Sequence, residues 1–427
     1  MKRVGILFFL TLTVVFVYAQ NINEARRIIQ TLASEQMAGR GYVNDGEKQA
    51  AEFIKEEFSK LSVQPLTDSY YQKFTIPVNT IIGKTTVAVD GKALTEGIDY
   101  VIASRCQGKD TVFDLVWLDY KVASKEKRMK RFMKRDLTGK IVVLDPLITA
   151  SKEEAVRKVY GRFYYGNTSL AAGLITLMDK PGWFVVDAGN ATDYLALTLK
   201  KGCITKKSKQ LRVSFANHFI ESYTARNVIG FIPGSENPDQ YIAFSAHFDH
   251  LGMMGETIIP GAHDNASGVA MIIDLARHFM ENPPPFSVVF MAFSAEERGL
   301  FGSRKFVDEP LIPLDQISFL LNLDMVGTGR EGITVVNGSQ FPEAFNLLDS
   351  INTADSLLPQ VKKRGESKNS DHYPFYEKGV KSFFIYTMDS EYSDYHNPDD
   401  RYDRLPLTGY DGLFQLVVRF ANTIYSG

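Results

Sequence analysis

Cysteine is almost missing from this chain of 427 residues: there are two, Cys106 and Cys203. That excludes a disulfide framework, and without C-x-x-C spacing it excludes a thiolate zinc site. The spacing leaves open whether the pair forms one bridge or two separate thiols. An excess of charge is missing as well, since 48 basic residues face 50 acidic ones and the net charge is -2. Nucleic-acid binding normally demands a clearly basic face, so that partner class is set aside. Low-complexity tracts and repeats of fixed period are absent, which points away from disordered and solenoid architectures.

Long apolar runs are missing beyond the N-terminus. The one present, "VGILFFLTLTVVFVYA" from Val4 to Ala19, follows Lys2 and Arg3. It falls short of the ~20 residues that cross a bilayer comfortably. A basic start, a short apolar stretch and a small residue at its end predict a signal peptide over residues 1–19, cut after Ala19. No cysteine follows the cut to carry a lipid. The expected mature protein is periplasmic or extracellular, with no stable membrane anchor after cleavage.

What remains is rich in apolar residues, enough for a sizeable packed core. In "DGEKQAAEFIKEEFSKL", Ala51, Ile54, Phe58 and Leu61 recur at helical spacing, predicting amphipathic helices before residue 74. Residues 75–221 differ in texture. Short runs such as "TTVAVDG" and "KIVVLDP" alternate with Gly, Asp and Lys, predicting an inserted β-rich domain with a few helices. Within it, "KVASKEKRMKRFMKRDLTGK" reads as a solvated helical face whose apolar stripe is Met129, Phe132 and Met133. From Arg226 onward strands, loops and helices alternate. "YIAFSA", "FSVVFMAF", "ISFLLNL", "GITVVNG" and "KSFFIYT" are near-continuous apolar strands. "GVAMIIDLARHFM" is a helix, with Asn265 and Ser267 marking its start. Strands buried on both faces predict an α/β fold with a largely parallel central sheet and helices on each side, formed by residues 20–74 and 222–427.

Histidine is scarce, seven in all, yet "YIAFSA" runs into His247 and His250 around Asp249. Glu296 and Glu297 follow "FSVVFMAFSA", Asp324 follows "ISFLLNL", and "PGAHDNASG" puts Asp264 just before a helix. Ligands in open α/β sheets bind beyond the carboxyl ends of strands, so these side chains are expected on one rim. Taken singly, each has a bland reading: a buried histidine, a helix cap, or a solvated turn. Their joint placement points to a divalent cation held by imidazole and carboxylate. Adjacent glutamates repel unless a cation neutralises one or their pKa values part.

These segments resemble the di-zinc aminopeptidases of the aminopeptidase S and aminopeptidase Y type, whose relatives include glutamate carboxypeptidase and glutaminyl cyclases. The likeness lies in "NVIGFIPG", "SAHFDHLG", "PGAHDNASG", "FSAEERGLFGS", "NLDMVG", "SDHYPF" and "DYHNPDD", and in "LASEQMAGR" through "AAEFIKEEF". The insert is more loosely similar to a protease-associated domain, around "DLTGKIVVLD" and "SLAAGLITLMD".

The resemblance implies two Zn2+ ions, or other divalent metals. His247 and Asp324 would hold one, Glu297 and His396 the other, and Asp264 would bridge them. Glu296 would be the general base, and Asp249 would orient the imidazole of His247. Tyr395, the trio Ser370, Asp371 and His372, and Met253 with Met254 would shape the substrate pocket. His250 could compete as a ligand, His263 lies beside the bridge, and His218 and His278 read as surface or packing residues.

The expected activity is a secreted aminopeptidase acting on peptides with a free N-terminus. Alternatives on the same fold are a glutaminyl-cyclase-like acyltransferase and a carboxypeptidase for acidic dipeptides, the latter using Arg298, Arg330 or Arg364. A metal-free binding module would have lost a ligand or Glu296, and all are present.

Overall fold

A computed structural model describes residues 21–165, 171–182 and 189–426. The expected signal peptide and its cleavage point lie outside the described residues. Among those described, no helix is long and apolar enough to cross a membrane.

The central sheet is built around four parallel strands. Asn237–His247 lies between Phe286–Phe293 and Ile317–Leu323, and the latter pairs with Ser382–Thr387. Antiparallel strands flank them: the end of Gln210–Ile232 on one side, Ile333–Val336 on the other. Every residue of Phe286–Phe293 is buried, as expected for a strand covered on both faces. The "GITVVNG" segment pairs antiparallel with Ser382–Thr387, so the sheet is parallel only at its centre, where the site is built.

The helix Ser267–Glu281 crosses the sheet and is buried from Ser267 through Ala276. Gly268 makes this approach possible. A Cβ there would lie 2.2 Å from the carbonyl oxygen of Leu323, at the end of the Asp324 strand. Outside this helix, Ile22–Leu32 buries Ala25, Ile28, Ile29 and Leu32 at three- and four-residue steps. Gly46–Lys60 does the same with Ala50, Ala51, Ile54 and Phe58.

The insert leaves this body on a long antiparallel ribbon, Tyr71–Val89 against Gln210–Ile232. The two strands continue from one unit into the other, so the expected boundary at residues 75 and 221 falls within them. Lys109–Leu118 pairs antiparallel with the far end of Gln210–Ile232 and continues the sheet through Lys140–Leu144, Gly173–Met178, Leu195–Lys200 and Tyr100–Ile102. Helices cover one of its faces. Met129 and Phe132 point into their core, whereas Lys127, Arg128, Lys130 and Arg131 are exposed, as expected of a solvated face.

The opposite core of the insert reaches the rim of the central sheet, because Leu251, Met254, Ile259 and Ala295 pack into it with Val213 and Ile175. Met254 is therefore fully buried beside Ile81 rather than lining a pocket. Met253 is half-buried and accepts a contact from Asn44. Cys106 is buried, Cys203 is partly so, and both are free thiols.

Candidate metal centre

The parallel strands end in register. His247 is paired with Phe293, after which Glu296 and Glu297 follow; Ser245 is paired with Asn322, two residues before Asp324. Three strands thus deliver their polar ends to one rim. Asp264 arrives from the turn preceding the helix Ser267–Glu281, and His396 from the loop after Ser382–Thr387.

At that rim Asp264 faces two ways. Its Oδ1 lies 3.2 Å from His247 Nε2 and its Oδ2 lies 2.9 Å from His396 Nε2. His247 Nε2 is also 3.3 Å from Asp324 Oδ1, and His396 Nε2 is 3.4 Å from Glu297 Oε1. The donor atoms fall into two adjacent groups. One contains His250, Asp264, Glu297 and His396; the other contains His247, Glu296 and Asp324. All five ligands expected from the sequence come together. His250 joins them, with Nδ1 2.8 Å from Glu297 Oε1.

Other residues fix these side chains from behind. The Asp249 carboxylate accepts the backbone N–H of Glu296 at 3.0 Å and that of Glu297 at 3.3 Å. It lies 3.9 Å from His247 Nδ1, beyond hydrogen-bond reach, and the backbone carbonyl of Asp249 meets that nitrogen at 3.1 Å instead. Asp249 thus holds the glutamate turn, and its backbone rather than its carboxylate orients the imidazole. Ser370 Oγ donates to Asp324 Oδ2 at 2.7 Å and accepts from Asn322 Nδ2 at 2.8 Å. Asn265 ties the turn to the neighbouring strand, donating to Leu323 O and accepting from Met325 N–H.

Two supporting residues escaped the sequence reading. Asp400 accepts the backbone N–H groups of His263 and Asp264. Arg40, fully buried, donates to the carbonyls of Leu32, Phe248, Pro260, Gly261 and Asp264. Both stand in quoted motifs, "DYHNPDD" and "LASEQMAGR", but only the folded chain brings them beneath the site.

Electrostatics explain what the rim needs. Asp249, Asp264, Glu296, Glu297, Asp324 and Asp371 crowd around it, and desolvation penalises every one that is charged. Burial, with Glu297 and Asp371 nearby, raises Glu296 well above the usual carboxyl range, while His247 opposes the rise. Burial likewise pushes Asp249 up to about 8. Burial opposes charge on His396 too, but Glu297 and Asp264 push its imidazole up to about 11. The clustered carboxylates thus favour positive charge at the rim, even as protons on imidazole. Divalent cations would supply that charge and displace those protons, and the oxygen and nitrogen donors suit zinc. The residues fit the ions.

The expected pocket residues divide. Tyr395 is half-exposed and stacks on His396, ring centroids 3.7 Å apart. Asp371 is buried, accepts a hydrogen bond from Ser303, and is pushed up to about 7 by burial. His372 is buried against Phe384, held down to about 4 by burial, and stands outside both donor groups. His263 accepts Gly327 N–H, and His278 packs edge-on against Phe414. Of the arginines, Arg298 donates to Pro77 O, Arg330 pairs with Glu391, and Arg364 reaches Tyr386 and Ser367.

With the rim's donor sets in place, comparison with known proteins gives a family. Residues 227–421 match the model of peptidase family M28. Across that segment, this chain is similar to peptidase family M28. It is 27% identical to "Aminopeptidase YwaD" of Bacillus subtilis over 51% of this chain and 49% of that protein. It is 36% identical to a "Probable zinc metalloprotease" of Pyrenophora teres over 31% of this chain and 30% of that one. The chain thus spans about half, or less, of the length of these curated relatives. In structure it resembles BSAP, a zinc aminopeptidase from Bacillus subtilis, with a TM-score of 0.69 and 22% identity over 93% of this chain and 94% of that one. An aminopeptidase from Aneurinibacillus sp. strain AM-1 gives 0.61 and 19% identity over 94% and 93%. These likenesses show a shared fold running through both the central sheet and the insert.

Proposed function

We propose that this protein is a secreted, di-zinc aminopeptidase that removes N-terminal residues from peptides. The observation carrying this reading is the bidentate position of Asp264, one oxygen toward His247 and the other toward His396. In this reading His247 and Asp324 would hold one ion and His396 and Glu297 the other, with Asp264 as the carboxylate common to both. Ions bound there supply Lewis acidity toward the scissile carbonyl and acidify water.

The chain's own residues do the remainder. Glu296 takes the proton of the attacking water and returns it to the leaving amine, a task that favours a carboxyl whose pKa lies near the working pH. Asp249 keeps Glu296 and Glu297 aimed by holding both backbone N–H groups. The crowd of carboxylates attracts a substrate's protonated α-amine and repels a C-terminal carboxylate. Arg298, Arg330 and Arg364, the arginines considered for such a carboxylate, contact Pro77, Glu391 and Tyr386 instead, which favours cleavage from the N-terminus.

Digestion of a mixed peptide library with and without a chelator, followed by mass spectrometry, tests the proposal. Loss of single N-terminal residues, abolished by the chelator and by N-terminal acetylation, is expected. Cleavage of acetylated peptides from the C-terminus would replace it with the carboxypeptidase reading, and cyclisation of N-terminal glutamine with the acyltransferase one. The proposal extends to residues 1–19 as a signal peptide and to residues 75–221 as a protease-associated-like insert.

A further inference from the structure

One contact between insert and catalytic unit lies at the metal rim and has no part in the chemistry above. Lys180, just beyond the insert strand Gly173–Met178, reaches across to the loop carrying Tyr395 and His396. Its Nζ lies 2.9 Å from Asp394 Oδ1 and 3.1 Å from Asp399 Oδ2. Arg404 holds the other side of the same two aspartates, at 2.9 Å and 3.5 Å. Asp394 is buried and Lys180 is half-exposed. The insert is fixed on the opposite side by apolar packing, where Ala295, next to Glu296, and Leu251, next to His250, belong to its core. Arg298, next to Glu297, adds a hydrogen bond to Pro77 O on the ribbon.

The insert therefore spans the rim, with a packed hydrophobic footing at the glutamate turn and an ion-pair clasp at the His396 loop. The footing cannot open without exposing buried apolar surface. The clasp is partly in water and exchanges protein partners for solvent at small cost. It is the side that can yield.

We propose that Lys180 is a specificity-determining residue, a clasp that holds the insert against the His396 loop and so favours short peptides over long ones. The inference rests on the peptidase reading. On this proposal the insert, held on both sides of the rim, obstructs the path of a longer chain more than that of a short one. Weakening the clasp lets the two sides part and should relieve that restriction, chiefly through KM.

The test is a charge series at one site, Lys180→Arg, Lys180→Ala and Lys180→Glu, in the zinc-loaded full chain. For each, kcat and KM are measured with a dipeptide and with a peptide of about ten residues. Amide hydrogen exchange is followed over residues 389–404. Arg should behave as wild type. Ala should raise the long-to-short ratio of kcat/KM about fivefold, the scale of an ion pair of this exposure, and Glu should raise it further. Exchange in residues 389–404 should accelerate in the same order. A flat ratio overturns the specificity role, and flat exchange overturns the clasp itself. Exchange needs no substrate, so a wild type that cleaves nothing would sink the peptidase reading while the exchange series still judges the clasp.

Discussion

Asp400 holds Asp264 from behind: its Oδ2 accepts the Asp264 backbone N–H at 3.1 Å, while its Oδ1 accepts that of His263 at 2.8 Å. The carboxylate between the two histidines is therefore positioned through its main chain, and both of its own oxygens face the histidines of the rim. Tyr392 steadies Asp400 in turn, donating to Oδ1 at 2.7 Å.

Asp400→Ala should leave those buried N–H groups unpaired and let the Asp264 turn drift. Zinc affinity is expected to fall about 10–100-fold, as when partners behind metal ligands are removed. Chelator competition measures it, with circular dichroism verifying that the fold persists. Unchanged affinity would mean that the turn holds itself.

Glu296→Gln keeps the shape of the side chain but removes its basicity. Bound zinc should remain at the wild-type amount while kcat falls by about 10²–10⁴, the scale of lost general-base catalysis. Metal content and turnover should be read on the same sample. Wild-type turnover would remove Glu296 from the mechanism.

Arg40→Met removes a buried cation that serves five carbonyls from three separate stretches of chain. Burial holds its guanidinium down to about 10, and Asp264 and Asp400 work to keep the charge. Breaking such a centre costs about 3–5 kcal/mol. Urea denaturation of the variant should show this as a lower midpoint. A loss below 1 kcal/mol, roughly the value of an exposed pair, would show that water or repacking replaces the guanidinium.

Glu57 links the two N-terminal helices through Arg27, and Lys60 reaches it at 2.9 Å. Burial opposes its charge, yet hydrogen bonds from Arg27 and Lys60 hold its carboxyl below the ordinary 4.5. A depressed carboxyl contributes stability above its unfolded pKa and loses it as pH falls through the folded one. Glu57→Gln should therefore destabilise the protein by about 1 kcal/mol near neutral pH, a figure kept small because both cations are largely in water. The stability difference should fade as pH falls below 4.5 and through the lowered folded pKa, measured by denaturation at several pH values. A constant difference would assign the effect to packing.

Much of the fold is legible in local pattern. Continuous apolar runs such as "FSVVFMAF" became central strands, and Ala51, Ile54 and Phe58 became the buried side of a helix. The antiparallel pairing of Ile333–Val336 was not legible, because an apolar run carries no direction. Met254, expected in the substrate pocket, is turned by its β-bridge to Ile81 into the insert's core.

The sequence alone determined which residue types meet the rim, because strand periodicity fixes where each strand stops, and the polar residue at each stop is written in the chain. Only tertiary structure decided that Asp264 would face His247 and His396 with separate oxygens. The same holds for Arg40, Asp400 and Lys180, which act on partners 214 or more residues away for Lys180 and 136 for Asp400. Such contacts depend on how sheet, turn and insert dock, and no local preference for helix or strand encodes that docking.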